Sequence, residues 1–311
     1  MSDTNPATIW IKNPLAIFAQ DSDSGVVIKG QKIIELVPLS AKPKSQIDEV
    51  YDASGSVLLP GLINTHHHFY QTLTRAYPEA LNKELFPWLK SLYKVWANIQ
   101  PEMLAVSTEL ALSELLLSGC TTASDHHYLF PSQLENAIDI QVEEAQKIGM
   151  RVVLTRGSMS LGEKDGGLPP QSVVQTKEQI LTDSERLIKA YHESEEGAMT
   201  QIALAPCSPF SVTTDLMIET SELAQQYDVR LHTHLAETID EENFCLDKFG
   251  LRTVDYLESV GWLSDRTWLA HGIHFNQQEI QKLGDFGVGI CHCPSSNMML
   301  ASGICHSLEL E

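Results

Sequence analysis

The sequence predicts an α/β fold, a (β/α)8 TIM-type barrel of which seven strands are present, preceded by a small N-terminal antiparallel β piece. Two patterns predict it. From Val57 to Cys293 short apolar runs alternate with longer amphipathic ones, the rhythm of parallel strands joined by helices. Polar residues with chemical potential then recur at the carboxyl ends of the apolar runs, where a barrel of this kind builds its active site.

The elements follow in order. Residues 1–56 carry the short alternating runs "TIWIKN", "GVVIKG" and "KIIELV", with "IKGQKI" as a hairpin turn, and are assigned to the N-terminal part of a small β-sandwich domain. Residues 57–311 are assigned to the barrel. Its strands are expected at 57–64, 120–125, 151–157, 201–206, 229–237, 267–272 and 287–293, and helices at 101–119, 134–149, 214–227 and 276–287. The stretch "LFPWLKSLYKVW" after strand one is too long for a plain connection. Its Phe86, Trp88, Tyr93 and Trp96 suit either a lid stacked on a planar ring or a helix packed on the core. After strand seven, "PSSNMMLASGICHSLELE" reads as a loop and the start of a helix. A closed barrel needs an eighth strand, so the 311 residues are expected to be a fragment of a longer enzyme. Alone it is expected to be inactive and prone to aggregate through the exposed edges of strands seven and one.

Composition narrows the partners. A chain with 43% hydrophobic residues can bury a sizeable core, and a net charge of −20 argues against nucleic acid or an anionic membrane surface. No apolar stretch reaches the roughly 18 residues of a membrane span, and the N-terminus lacks a basic region followed by an apolar one. A cytoplasmic protein with a small neutral or cationic ligand is expected, with a homo-oligomer left open. The 6 cysteines fit free thiols better than a disulfide framework or a structural zinc site.

The histidines carry the chemistry. In "VLLPGLINTHHHFYQTLTR" strand alternation places His66 and His68 on one face and His67 on the other, so two imidazoles converge from one strand end. Strand two ends in Asp125-His126-His127, strand five in His232-x-His234 with Glu237 beyond, strand six in His271 with His274, and strand seven in His292. Singly, His126, His127, His232 and His274 read as loop or supporting residues, and His292 either lines the pocket or ends the strand. Jointly, so many of the 12 histidines at strand ends make the barrel mouth a metal site. Neutral imidazoles without a cysteine cluster suit zinc first and ferrous iron second.

"LLPGLINTHHH", "HLAET", "AHGIHF" and "HCPSSNMMLASG" together resemble the amidohydrolase superfamily, in particular its mononuclear-metal deaminase and aminohydrolase branch. The resemblance covers nearly the whole chain. It implies that His66, His68 and His234 bind one divalent metal, that His271 faces the metal-bound water, and that Glu237 shuttles protons. It also implies that Gln71, three residues after His68, hydrogen-bonds a heterocycle, with Trp88 and His292 as further substrate-binding candidates. Two-metal relatives carry a carboxylated lysine at strand four, and "QIALAPCSPF" has none, so one metal is expected. The activity implied is hydrolytic deamination of an aminated oxopurine, 8-oxoguanine to urate and ammonia foremost. Triazine or guanine aminohydrolysis, or an inactive metal- or purine-binding fragment, are the alternatives. Guanine itself fits less well, because Cys207-Ser208-Pro209-Phe210 stands where guanine-acting members offer an arginine. The superfamily's aspartate on strand eight, a metal ligand and proton acceptor, has no counterpart after Asp285.

Overall fold

The computed structural model describes residues 6–311. The chain divides into two units, one running to Leu62 and including residues 195–197, the other comprising Ile63–Ser194 and Ala198–Glu311.

The first unit holds β1 (Thr8–Lys12), β2 (Ala16–Ile17), β3 (Gly25–Lys29), β4 (Lys32–Val37), β5 (Glu49–Asp52) and β6 (Val57–Leu58). β3 and β4 form the expected hairpin, with Gly30 at φ +57 supplying the left-handed turn residue. The expectation of a purely antiparallel piece needs correction. β1 pairs antiparallel with β3 but parallel with β5, so the four-stranded sheet, in order β4-β3-β1-β5, is mixed. The connection after β4 returns the chain to the far side of β1, and "EVYD" is too short and polar to announce a strand by alternation.

The second unit is built on a 7-stranded parallel sheet curled into a half-barrel, in spatial order β13-β12-β11-β10-β9-β8-β7. Its strands are β7 (Leu62–Asn64), β8 (Cys120–His127), β9 (Arg151–Ser158), β10 (Thr200–Pro206), β11 (Leu231–Leu235), β12 (Thr267–His271) and β13 (Gly289–Cys291), each within or overlapping an expected one. The inner strands are buried on both faces, and β10 accordingly runs apolar from Ile202 to Pro206. β7 and β13 are the two edges of this sheet.

Ten α-helices are described: α1 (Leu85–Trp96), α2 (Pro101–Leu117), α3 (Ala137–Ile148), α4 (Lys177–Tyr191), α5 (Thr214–Tyr227), α6 (Ile239–Phe249), α7 (Thr253–Ser259), α8 (Gln277–Asp285), α9 (Pro294–Met299) and α10 (Ser307–Leu310). The four expected helices correspond to α2, α3, α5 and α8. α4 went unanticipated although Thr176 and Gln179 form a complete capping box at its start. The aromatic stretch after strand one is α1. Tyr93 and Trp96 are buried in the core, Phe86 packs on Phe210, and Trp88 meets Trp96 edge-on. Core packing therefore accounts for most of that aromatic set. Among the described residues, no helix is long and apolar enough to cross a membrane.

Candidate active site

The carboxyl ends of β7, β8, β11 and β12 bring a set of imidazoles within touching distance. The rings of His66 and His68 lie 4.7 Å apart, those of His66 and His234 4.9 Å, and those of His68 and His234 5.2 Å. His271 comes within 5.4 Å of His234 from the neighbouring strand, as the register Leu235↔His271 requires. His67 turns the other way and packs against Phe69.

Tautomers follow from hydrogen-bond partners, because a carbonyl oxygen only accepts. His68 donates Nδ1–H to the His126 carbonyl at 2.7 Å, and His234 donates Nδ1–H to the Cys207 carbonyl at 2.6 Å. Burial holds both rings well below the ordinary histidine pKa, hence neutral. The remaining nitrogens, both Nε2 lone pairs, face each other at 3.2 Å. Two nitrogens on one tetrahedral zinc at Zn–N of about 2.0–2.1 Å stand about 3.3 Å apart. The donor set therefore fits a metal ion, with His66, His234 and His271 also mutually close enough to share one.

A buried carboxyl and imidazole lie beside this cluster. Glu237 Oε2 is 3.3 Å from His271 Nε2, and both side chains are almost wholly buried. Burial, unrelieved by any donor, pushes the Glu237 carboxyl up to about 8 and the His271 imidazole down to about 4. Both shifts favour the uncharged form, a protonated carboxyl and a neutral imidazole. Asn297 receives the Nδ1–H of His271 at 2.9 Å, which turns the Nε2 lone pair toward Glu237.

Local backbone explains how Glu237 is aimed. Ala236 takes a left-handed φ of 52° just before it, and His271 takes φ 78°, both strained conformations for residues with a Cβ. The strain is met by bonding. Glu241, in the first turn of α6, accepts the backbone N–H groups of Ala236 and Glu237 at 3.1 and 3.0 Å, while the Ala236 carbonyl accepts from Ile273 and His274.

A cavity of about 900 Å³ opens onto the cluster. Gln71, Trp88 and His292 all line it, together with Glu237 and His271. Tyr128, packed edge-on against His68, and Phe210 complete its aromatic wall. Sequence reasoning did not single out Tyr128, whose only signal was its place directly after "DHH" at the end of β8. His126, His127 and His274 bond backbone carbonyls, of Ala205, Leu129 and Ser302 respectively, and so support the strand ends.

The pattern that defines the amidohydrolase family matches residues 57–310. The chain belongs to that family. Among similar proteins, 8-oxoguanine deaminase of Pseudomonas aeruginosa is 64% identical over 305 residues, which are 97% of this chain and 68% of that protein. Isoxanthopterin deaminase from an unknown prokaryotic organism is 32% identical over 322 residues, covering 99% of this amidohydrolase and 66% of the relative. The solved structure of an atrazine chlorohydrolase from Arthrobacter aurescens complexed with zinc superposes with a TM-score of 0.90 at 30% identity, over 97% of this chain and 69% of that one. The chain thus spans about two thirds of the length of these relatives.

Proposed function

We propose that this amidohydrolase carries the site of a hydrolytic deaminase of an aminated oxopurine, most directly 8-oxoguanine. Water adds at the amine-bearing ring carbon and ammonia leaves, giving urate. The observation that carries the reading is the 64% identity to 8-oxoguanine deaminase along nearly the whole chain, joined to an imidazole cluster beside a protonated, buried glutamate. His66, His68 and His234 would hold one divalent ion, zinc ahead of iron. When bound, such an ion supplies Lewis acidity and brings the pKa of a coordinated water to about 7.

The chain's own residues do the rest. Glu237, holding its proton at neutral pH, delivers it to a ring nitrogen as water adds, which offsets the charge built up by loss of aromaticity. His271, neutral with its Nε2 lone pair directed at Glu237, takes the proton released as water adds and passes it to the leaving amine, and Glu237 regains its proton from the new hydroxyl as the C–N bond breaks and the carbonyl forms. Gln71 offers both a donor and an acceptor to the edge of an oxopurine, and Trp88 offers a flat apolar face.

Residues 1–311 alone are proposed to be inactive. β7 and β13 are the unpaired ends of the sheet's strand order, and the two groups of described residues able to share an ion consist of histidine alone. Triazine hydrolysis is the second reading, supported by the backbone likeness to the chlorohydrolase. Ammonia release from 8-oxoguanine, guanine, isocytosine and hydroxylated triazines separates the two. A metal-loaded protein extended to the length of its relatives that turns over none of the purines would overturn the first reading.

A further inference from the structure

We propose that His232 is a positioning residue that fixes the tautomer and ring orientation of His66 and thereby sets how tightly this site holds its cation. The inference rests on the metal reading above. His232 is fully buried on β11, two residues before His234.

Both of its nitrogens are committed. Nδ1 lies 2.8 Å from the Trp268 carbonyl, which only accepts, so Nδ1 carries the hydrogen. Nε2 is then a lone pair, and it lies 2.8 Å from Nδ1 of His66. His66 must donate there, which leaves its own Nε2 as the lone pair for the cation. His68 and His234 obtain the same orientation from backbone carbonyls. His66 alone of the three depends on a side chain.

A neighbouring strand holds that side chain still. The Trp268 indole stacks on His232 with centroids 4.3 Å apart and planes 15° from parallel, and its Nε1–H donates to the carbonyl of Thr65 at 3.0 Å, one residue before His66. One tryptophan therefore orders both the positioning imidazole and the backbone of the residue it positions.

His66, His126 and His232 also form a second group close enough to share an ion. Distance assigns it to proton sharing. The 2.8 Å between His66 and His232 is a hydrogen-bond length, short of the roughly 3.3 Å between two imidazole nitrogens on one zinc. His126 donates its Nε2–H to the Ala205 carbonyl and keeps an unpartnered Nδ1, so the short His66–His232 contact alone decides against this group.

The test pairs two substitutions in the 311-residue chain. His232→Phe keeps a flat ring against Trp268 but removes the acceptor. His232→Gln puts an amide oxygen near the position of Nε2. Zinc chloride titrated in competition with a chromophoric chelator should show H232F binding about 10–100-fold more weakly than the unsubstituted chain, and H232Q within about threefold of it. Unchanged affinity in folded H232F, or H232Q as weak as H232F, overturns the proposal. Where H232F does not fold, nitrogen-15 histidine spectra of the unsubstituted zinc-free chain decide. Nδ1–H on both His66 and His232 supports it, and Nε2–H on His232 overturns it. An unsubstituted chain that binds no zinc overturns the metal reading, and this inference with it.

Discussion

The Nε2 atoms of His68 and His234 face each other across 3.2 Å with no hydrogen between them. Both rings spend their single N–H on a backbone carbonyl, so two lone pairs are held in mutual repulsion inside a desolvated pocket. A cation between them turns that repulsion into two bonds. Zinc should therefore stabilise the chain by about 3–4 kcal/mol at 100 to 1,000 times its dissociation constant. His66→Ala, His68→Ala and His234→Ala should each abolish most of that gain and lower zinc content. Thermal unfolding with and without zinc, together with elemental analysis, measures both, and full metal content in any one variant removes that histidine from the ligand set.

Glu237→Gln should leave zinc content unchanged, since the carboxyl adjoins His271 and not the lone pairs of His68 and His234. The amide keeps the volume but has no exchangeable acid proton. Turnover of 8-oxoguanine by the active protein should fall by about 10²–10⁴-fold, the usual worth of a positioned general acid. Loss of metal in step with activity would make Glu237 a structural residue.

Gln71 reaches the cavity from a short 3₁₀ turn, and its amide nitrogen has only a long 3.4 Å contact with the Tyr70 hydroxyl. It is thus free to spend its polarity on a ligand. Gln71→Leu should raise KM for 8-oxoguanine about tenfold while kcat changes little, because a bond to the ring edge made equally in substrate and transition state is uniform binding. A changed kcat with constant KM would place Gln71 in the chemistry.

The parts of this site that depend on strand period were legible in advance, and the parts that depend on tertiary contact were not. Alternation alone separated His67 from His66 and His68. Nothing local announced that Asn297 would orient His271, because the two are 26 positions apart and meet only when α9 folds back on β12. Glu241 was hidden for another reason. It looks like one more acid in "ETIDEEN", yet the cap formed by Thr238 at the start of α6 turns it inward onto the Ala236 turn. The parallel pairing of β5 lay beyond local reading as well, since strand direction is set by the connection and not by the four residues of the strand.

Asp125 provides a prediction about pH. Its carboxylate is wholly buried at the end of β8, accepting the backbone N–H of Phe69 at 2.5 Å and the amide of Gln141 at 2.6 Å. These donors favour the charged form, but burial outweighs them and raises the pKa from 3.8 to about 7. Between those values the folded chain keeps a proton that the unfolded chain has lost. Stability from this group is therefore complete below pH 4 and declines as pH rises to 7, by about 4 kcal/mol in the ideal case. Asp125→Asn should abolish this group's share of the decline and leave that of the buried Glu237 and Glu241. The introduced amide oxygen can still accept from Phe69, and the Gln141 side chain, whose Oε1 has no hydrogen-bond partner, can turn over to accept the new N–H. Urea midpoints of the zinc-free chain and D125N at pH 5 and pH 8 test this. The unsubstituted chain should lose stability relative to D125N over that range, and parallel behaviour would mean that Asp125 is ionised throughout.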